Sequence, residues 1–525
     1  MLAAALDRRN FVAGGLTSLA MLLTESGVKL NAQTPPVRRE VHDPAAAPML
    51  QLYKRAIKEM KDRPVWDPTS WWFQANIHWT PQQDDSKGCY EINCFNALFQ
   101  PLPGATAEVL ARIQASRRLV AGEVPLDPSV GVGRDRIWLK CPHRTYDFLP
   151  WHRVYLYFFE RIIESVVGEP FALPYWNYLD TRYRDFPASF RPAKESDGSD
   201  NALYYSDRSP LCRDPNDPSV PSSEKPLIRD SDLNWQTAAD QRFLERGDVL
   251  GLDRGFSFQL ESAPHDLVHG RIGVITDQNV PLGMATPALA ARDPIFYLHH
   301  SNLDRLWEWW RNQPPLEGDP PRTPEYIWTQ EPYLFVSPNA QKTGLTAGES
   351  FGMVGTAYSY DQLAPVPTAV AGSPLAASSP RPPNRVSRSD DVLSVTPRGS
   401  AATQLAPEPG AGAAVASPSS RWILRFSEVS SPAAPSGVFD IYLDGPGAGA
   451  VAGQPAGSFA LFGTHDHAIA GHAGQTASDK VIEVTNRMRE LIAQGIDPAS
   501  VRITVVSNST SAAAVRIGRI ELFSR

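Results

Sequence analysis

In the stretch CPHRTYDFLPWHR (Cys141–Arg153) two histidines stand nine residues apart, the first just after a Cys-Pro pair and the second inside an apolar run. Imidazole is the commonest protein ligand for transition metals, so the pair raises the question of its partners. Upstream, QANIHWT supplies His78 and completes a first trio of His78, His143 and His152. Downstream, ESAPHDLVHG places His265 and His269 at i and i+4, so both rings project from one helix face and can hold one ion. RDPIFYLHHSNLDRLW then adds His299 and His300. Adjacent helical residues point about 100° apart, so only one of them joins the pair. The face of His300 continues through Phe296, Leu303 and Trp307, an apolar stripe that turns inward, which makes His300 the third member and His299 a supporting or packing residue. Two three-histidine sites, with no cysteine cluster or paired carboxylates among the ligands, argue against iron–sulfur, against calcium or magnesium, and against carboxylate-bridged di-iron or di-zinc chemistry. All-imidazole coordination suits copper. Zinc on three histidines is the chemical alternative, but a single zinc leaves one trio unexplained.

These histidines need rigid elements. One helix is predicted to start near Leu149-Pro150 and to run through WHRVYLYFFERIIESVV, proline suiting the first turn. A second contains APHDLVHGRIG and ends at glycine, and a third is RDPIFYLHHSNLDRLWEWWRNQ, with Asp293 as N-cap and Pro294 at the first helical position. They belong to an aromatic-rich region, residues 33–360, read as a mainly α catalytic domain. The 525 residues are too many for one ordinary core. Residues 361–420, rich in Pro, Ala, Ser and Gly as in EPGAGAAVASP, read as a linker. In residues 421–525 the runs RWILRFSEVS, GVFDIYLDG, GSFALFGTH, VRITVVSNS and VRIGRIELF, separated by Gly, Ser and Asn, predict a C-terminal antiparallel β-sandwich. No internal repeat is visible.

Net charge −7 gives no electrostatic reason to expect nucleic acid. The N-terminus, LDRRNFVAGGLTSLAMLL with twin arginines Arg8 and Arg9, reads as a twin-arginine signal peptide over residues 1–32, with LNAQ as the cleavage point. Its apolar run is shorter than the roughly 20 residues a spanning helix needs, so no membrane association is expected of the mature protein. The expected location is periplasmic or secreted. Four cysteines, Cys89, Cys94, Cys141 and Cys212, are too few for a disulfide scaffold.

Taken in order, CPHRTYDFLPWHRVYLYFFER, ESAPHDLVHG and RDPIFYLHHSNLDRLW resemble the coupled binuclear copper proteins: tyrosinases, catechol oxidases and haemocyanin. The resemblance covers most of residues 36–360, with VRRE (Val37–Glu40) and YSY (Tyr358–Tyr360) as supporting matches, and FDIYLDG is similar to the β-sandwich that follows the core in plant-type enzymes. It implies a helical bundle holding two copper ions, copper A on His78, His143 and His152 and copper B on His265, His269 and His300. Cys141, two residues before His143, matches the cysteine that forms a thioether with a copper A histidine in fungal members; plant-type members use a cysteine soon after the first histidine, where this chain offers Cys89 and Cys94. The plain alternative is an inert buried Cys141, a Cys89–Cys94 disulfide and a free Cys212.

The resemblance also places Glu261 where many members hold a water near the coppers, as a general base for a phenolic proton. Asp266 stands where tyrosinases often carry asparagine; it orients that water or weakens deprotonation by like charge, unless both carboxylates merely form surface salt bridges. Pro287, thirteen residues before His300, replaces a bulky gate residue, and Gly270 leaves the entrance uncrowded. The implied activity is oxidation of phenols or o-diphenols to o-quinones by dioxygen, a tyrosinase or catechol oxidase reaction. The alternatives are a haemocyanin-like dioxygen-binding protein and an o-aminophenol oxidase. Because ligand histidines must be neutral, activity is expected to fall as pH drops through the usual histidine range. The C-terminal domain is expected to act as a lid, removed by cleavage in the linker, and its His465, His467 and His472 are either copper-loading residues or exposed loop histidines.

Overall fold

A computed structural model describes residues 35–78, 137, 141–143, 145–233, 255–275, 281–313, 332–364, 384–408, 420–431, 437–448, 453–462, 478–508 and 514–524. The signal segment, Cys89, Cys94 and the histidines at 465, 467 and 472 lie outside the described residues. Among the described residues no helix is long and apolar enough to cross a membrane.

The helical region opens with strand β1 (Val37–Arg38) and helix α1 (Ala47–Lys61), whose Leu50, Tyr53, Ala56, Ile57 and Met60 are buried at helical spacing. Helix α2 (Trp71–His78) carries His78 as its last residue. Helix α3 (Phe148–Val167) is buried almost all round, as an interior helix must be, and ends at Gly168, whose φ of 70° and N–H bond to Glu164 O at 2.8 Å form a left-handed cap. Helix α4 (Asp266–Ile272) follows a kinked turn, Glu261–His265, in which Ala263 leaves helical geometry just before Pro264. After the short helix α5 (Pro287–Ala290) comes α6 (Ile295–Arg311), packed against α3. The Asp293 carboxylate accepts the Ile295 N–H at 3.0 Å, so it caps α6 as expected, one residue further out. Strand β2 (Ser359–Tyr360) closes the region by pairing in parallel with β1.

The C-terminal region is β-rich. Its strands are β3 (Asn384–Ser389), β4 (Leu393–Val395), β5 (Ser400–Gln404), β6 (Ala406–Pro407), β7 (Trp422–Val429), β8 (Val438–Asp444), β9 (Gly457–Ala460), β10 (Ser478–Glu483), β11 (Arg502–Ser507), β12 (Val515–Ile517) and β13 (Arg519–Ser524). They form a five-stranded sheet in the order β6-β3-β13-β7-β10 and a four-stranded sheet in the order β9-β8-β11-β5, with every pairing antiparallel. Apolar residues of both sheets, among them Trp422, Leu424, Phe426, Ile441, Ile503 and Leu522, share one buried cluster. Helix α7 (Thr485–Ala493) adds Met488 and Leu491 to it.

The linker expected over residues 361–420 needs correction: 384–408 is sheet, so the β region begins some forty residues earlier than 421. Only Val386, Leu393, Val395 and Leu405 point to the core there, and the intervening Ser, Arg, Ala and Gln dilute the alternation below what a sequence window detects. The five strands read from the sequence all form, the last run dividing into β12 and β13.

Candidate metal centre

Each histidine of the first trio is delivered by a different constraint. His78 ends α2, and its carbonyl accepts the Cys141 N–H at 2.8 Å, which ties the 141–143 segment beside it. That tie brings His143 round to His152, which is rigid on α3. The ligand-capable atoms of His78, Cys141, His143 and His152 lie within 4.8 Å of one another, and all four residues are buried. A second group, His265, His269, His299 and His300, meets the same limit and is equally buried. The groups are neighbours: the His152 and His300 rings stack at 4.4 Å with 9° between planes, and His143 and His265 are 5.5 Å apart.

The hydrogen bonds are one-sided. Nδ1 of His152 donates to the Phe148 carbonyl at 2.6 Å, that of His78 to the Pro287 carbonyl at 3.1 Å, and that of His269 to the Met284 carbonyl at 2.9 Å. His265 Nδ1 pairs with the Asp266 carboxylate at 2.9 Å. A carbonyl can only accept, so each ring is held as the tautomer with its lone pair on Nε2. In His78, His152, His265 and His269 that Nε2 is buried with no hydrogen-bond partner, as are both ring nitrogens of His300. An orphaned buried polar atom costs about 1–3 kcal/mol, and several converge here. Burial pushes His152 and His269 down to about 3, and holds His78, His265 and His300 well below the usual histidine value, so the rings are neutral. Neutral imidazoles with free, convergent Nε2 atoms and oriented Nδ1–H groups are the donor set a borderline transition-metal cation requires. The residues therefore fit two copper ions.

His299 is buried in the second group too, but its Nδ1 is bonded to the Tyr178 hydroxyl at 3.0 Å. Cys141 Sγ lies 3.3 Å from His143 Nδ1, and Cys141 and Cys212 are both buried and outside any disulfide. Glu261 and Asp266 are buried, which removes the surface salt-bridge alternative. Pro287 is buried and serves through its carbonyl on His78.

The entrance is not open in the whole chain, contrary to the expectation from Gly270. A Cβ at Gly270 would stand 3.0 Å from Val438 Cγ2 and 3.9 Å from Ala460, so the bare glycine lets the β region close in. Beyond β9, Phe462 stacks on His269 at 4.3 Å and meets His265 and His143 edge-on at 5.6 and 5.9 Å. Asp440 of β8 fastens this contact: its carboxylate accepts Arg229 Nη1 at 2.7 Å and Arg271 Nη2 at 2.8 Å, with Asn508 and Ser458 at 2.6 and 2.8 Å. Sequence reading missed both residues. The signals were an aspartate inside the apolar run VFDIYL and a second phenylalanine out of phase with strand alternation in GSFALF.

Residues 68–313 match the family model described as the common central domain of tyrosinase, and residues 381–525 match one described as a domain of unknown function (DUF7868). Tyrosinase HcTyr1 of Hahella sp. (strain CCB-MM4) is 30% identical over 283 residues, 50% of this chain and 51% of that protein. The chloroplastic polyphenol oxidase A1 of Vicia faba is 28% identical over 333 residues, 61% of this chain and 46% of that one. The chain thus spans about half the length of these curated relatives. Among solved structures, latent apple tyrosinase (MdPPO1) superposes with a TM-score of 0.53 at 22% identity, covering 94% of this chain and 98% of that one, and a latent aurone synthase (polyphenol oxidase) with 0.54 at 18%, covering 94% and 90%. At such identities these show a common fold. The central-domain match lies over both histidine groups, so the part of the chain that holds them is similar to the common central domain of tyrosinase.

Proposed function

We propose that this chain is a copper-dependent polyphenol oxidase that converts phenols or o-diphenols to o-quinones with dioxygen. The observation that carries the reading is the pair of adjoining buried imidazole groups, with the Nε2 atoms of His78, His152, His265, His269 and His300 unpartnered, inside a stretch that matches the tyrosinase central domain. His78, His143 and His152 would hold one copper, and His265, His269 and His300 the other. His300 is favoured over His299 because it lies on the helix face of Phe296, Leu303 and Trp307 and its ring stacks on His152 at 4.4 Å; His299 Nε2 is unpartnered as well. When bound, the two ions supply the paired one-electron chemistry that reduction of dioxygen demands.

The protein's own residues then divide the remaining work. The Phe148, Pro287 and Met284 carbonyls fix the ligand tautomers. Asp266 holds His265 by a carboxylate–imidazole bond, which raises the basicity of that ligand. Glu261, buried one helical turn before His265, is the proposed acceptor of the phenolic proton, and Cys141 the proposed thioether partner of His143. The helices around the histidines form the bundle and the C-terminal sheets a β-sandwich lid, with Phe462 occupying the place of a substrate ring. The latent apple tyrosinase and latent aurone synthase that share this fold agree with such a lid. The Arg8-Arg9 segment is proposed to direct export by the twin-arginine route to the periplasm or beyond.

Oxygen uptake tests the reading: copper-loaded protein, whole and cut between residues 360 and 384, is given a monophenol and the matching catechol. Uptake with both substrates identifies a tyrosinase, and with the catechol alone a catechol oxidase. Reversible oxygen binding without turnover in either form refutes the enzyme reading in favour of a carrier.

A further inference from the structure

Helices α3 and α6 bring the two histidine groups together through His152 and His300, and sliding one helix along the other would part those stacked rings. Apolar packing alone is non-directional, yet the contact between these helices also holds a buried ionic network. Arg153, next to His152, donates Nε to Asp304 Oδ1 at 2.5 Å, and Asp304 lies one helical turn beyond His300. Arg38 of β1 binds the same carboxylate at 3.0 Å and, with two further bonds of 2.9 and 2.8 Å, Glu160 of α3. Glu308 takes Arg153 at 3.1 Å and Arg311 at 2.8 Å. Tyr358 and Tyr360 donate their hydroxyls to Asp304 Oδ2 at 2.5 and 2.6 Å. Three arginines thus face three carboxylates, and two of the arginines bridge α3 to α6. Burial disfavours the charged form of Asp304, but Arg153 and Arg38 overcome it and keep the carboxyl below its usual range.

A buried ion-pair network is a poor source of net stability, because desolvation offsets the attraction, and its best-attested use is to fix register. We propose that Asp304 is a positioning residue for the binuclear centre: it locks α3 against α6 so that His152 and His300, and with them the two metal sites, keep one separation. The inference rests on the proposed copper function.

The test compares the copper-loaded full-length protein with its Asp304→Asn variant by metal analysis, EPR of the cupric form and steady-state kinetics. Two closely coupled cupric ions give little EPR signal. The expected variant keeps its copper, shows a clear cupric signal, and loses about 10²-fold in kcat, the scale of a 1 Å misplacement, with KM little changed. A variant with full copper, no EPR signal and only a lower Tm overturns the proposal. Should Asp304→Asn fail to fold, Tyr358→Phe with Tyr360→Phe removes two hydrogen bonds while leaving every ion pair. A partial cupric signal is then expected, and a silent spectrum with unchanged kcat overturns the lock. If the parent protein takes up no copper, metal analysis reports it directly and the proposed function falls together with this inference.

Discussion

Replacing Asp440 by asparagine should release the lid while leaving the catalytic region intact. The Asp440 carboxylate is 1% exposed and lies between two arginines of the other region. Arg271 would keep Asp232, bonded at 3.0 and 2.8 Å, but the Nε and Nη2 atoms of Arg229 have no partner and its Nη1 has Asp440. The substitution therefore strands a buried guanidinium whenever the lid is shut, at a cost of about 3–5 kcal/mol. When the lid swings away, Arg229 regains water and the cost disappears. At about 1.4 kcal/mol per factor of ten, the open population rises by roughly two to three and a half orders of magnitude. The assay is kcat/KM for a catechol with uncut protein, taking the protein cut before residue 384 as the ceiling. Asp440→Asn should move the uncut protein toward that ceiling, and adding Arg229→Met should restore latency, since an apolar pair leaves no stranded charge. A variant as inactive as the parent, beside an active cut form, would refute the latch; equal activity of cut and uncut parent would refute the lid. The pH dependence has a definite sign. Burial works against the Asp440 carboxylate, but Arg271 and Arg229 outweigh it and hold it below the usual carboxylate value. Its contribution to docking is complete above the ordinary aspartate pKa and is lost only as pH falls through the depressed one, so the latch should survive mild acid.

The buried histidines of the folded protein protonate well below the usual histidine range in which activity was expected to fall. Burial lowers His152 and His269 to about 3, so the unfolded chain binds protons from about pH 6.5 downward while the native state does not; the Tm of the apo-protein should fall steadily below pH 6.5, and a flat profile to pH 4 would contradict the assigned burial. Asp266→Asn keeps the shape beside His265 but removes the charge that orients it, and should weaken copper affinity by about 10–100-fold in equilibrium dialysis. If Cys141 bonds to His143 after copper loading in air, the peptide spanning them loses the mass of two hydrogens and Cys141→Ser does not; an unmodified peptide from turnover-competent protein would exclude the thioether.

All six expected ligands lie in one of the two groups, because the information is local: i, i+4 spacing, a helix start, and an inward apolar stripe. The helices that carry His152, His265, His269 and His300 were legible for the same reason, as were the five strands with strong alternation, whereas α2, which ends in His78, was not read from the sequence. The strands over 384–408 were not, since four inward apolar residues among Ser, Arg and Ala leave too weak a period. The tertiary structure alone decided what surrounds the ligands. The Pro287 carbonyl meets His78 across 209 residues, Asp304 meets Arg153 across 151, and Asp440 meets Arg229 across 211. A backbone carbonyl carries no residue signature, and an aspartate facing an arginine looks the same in sequence as one facing water. Residue type and spacing state what an element can bind; which distant group completes, fixes or covers it depends on how the chain packs, and only the folded geometry contains that.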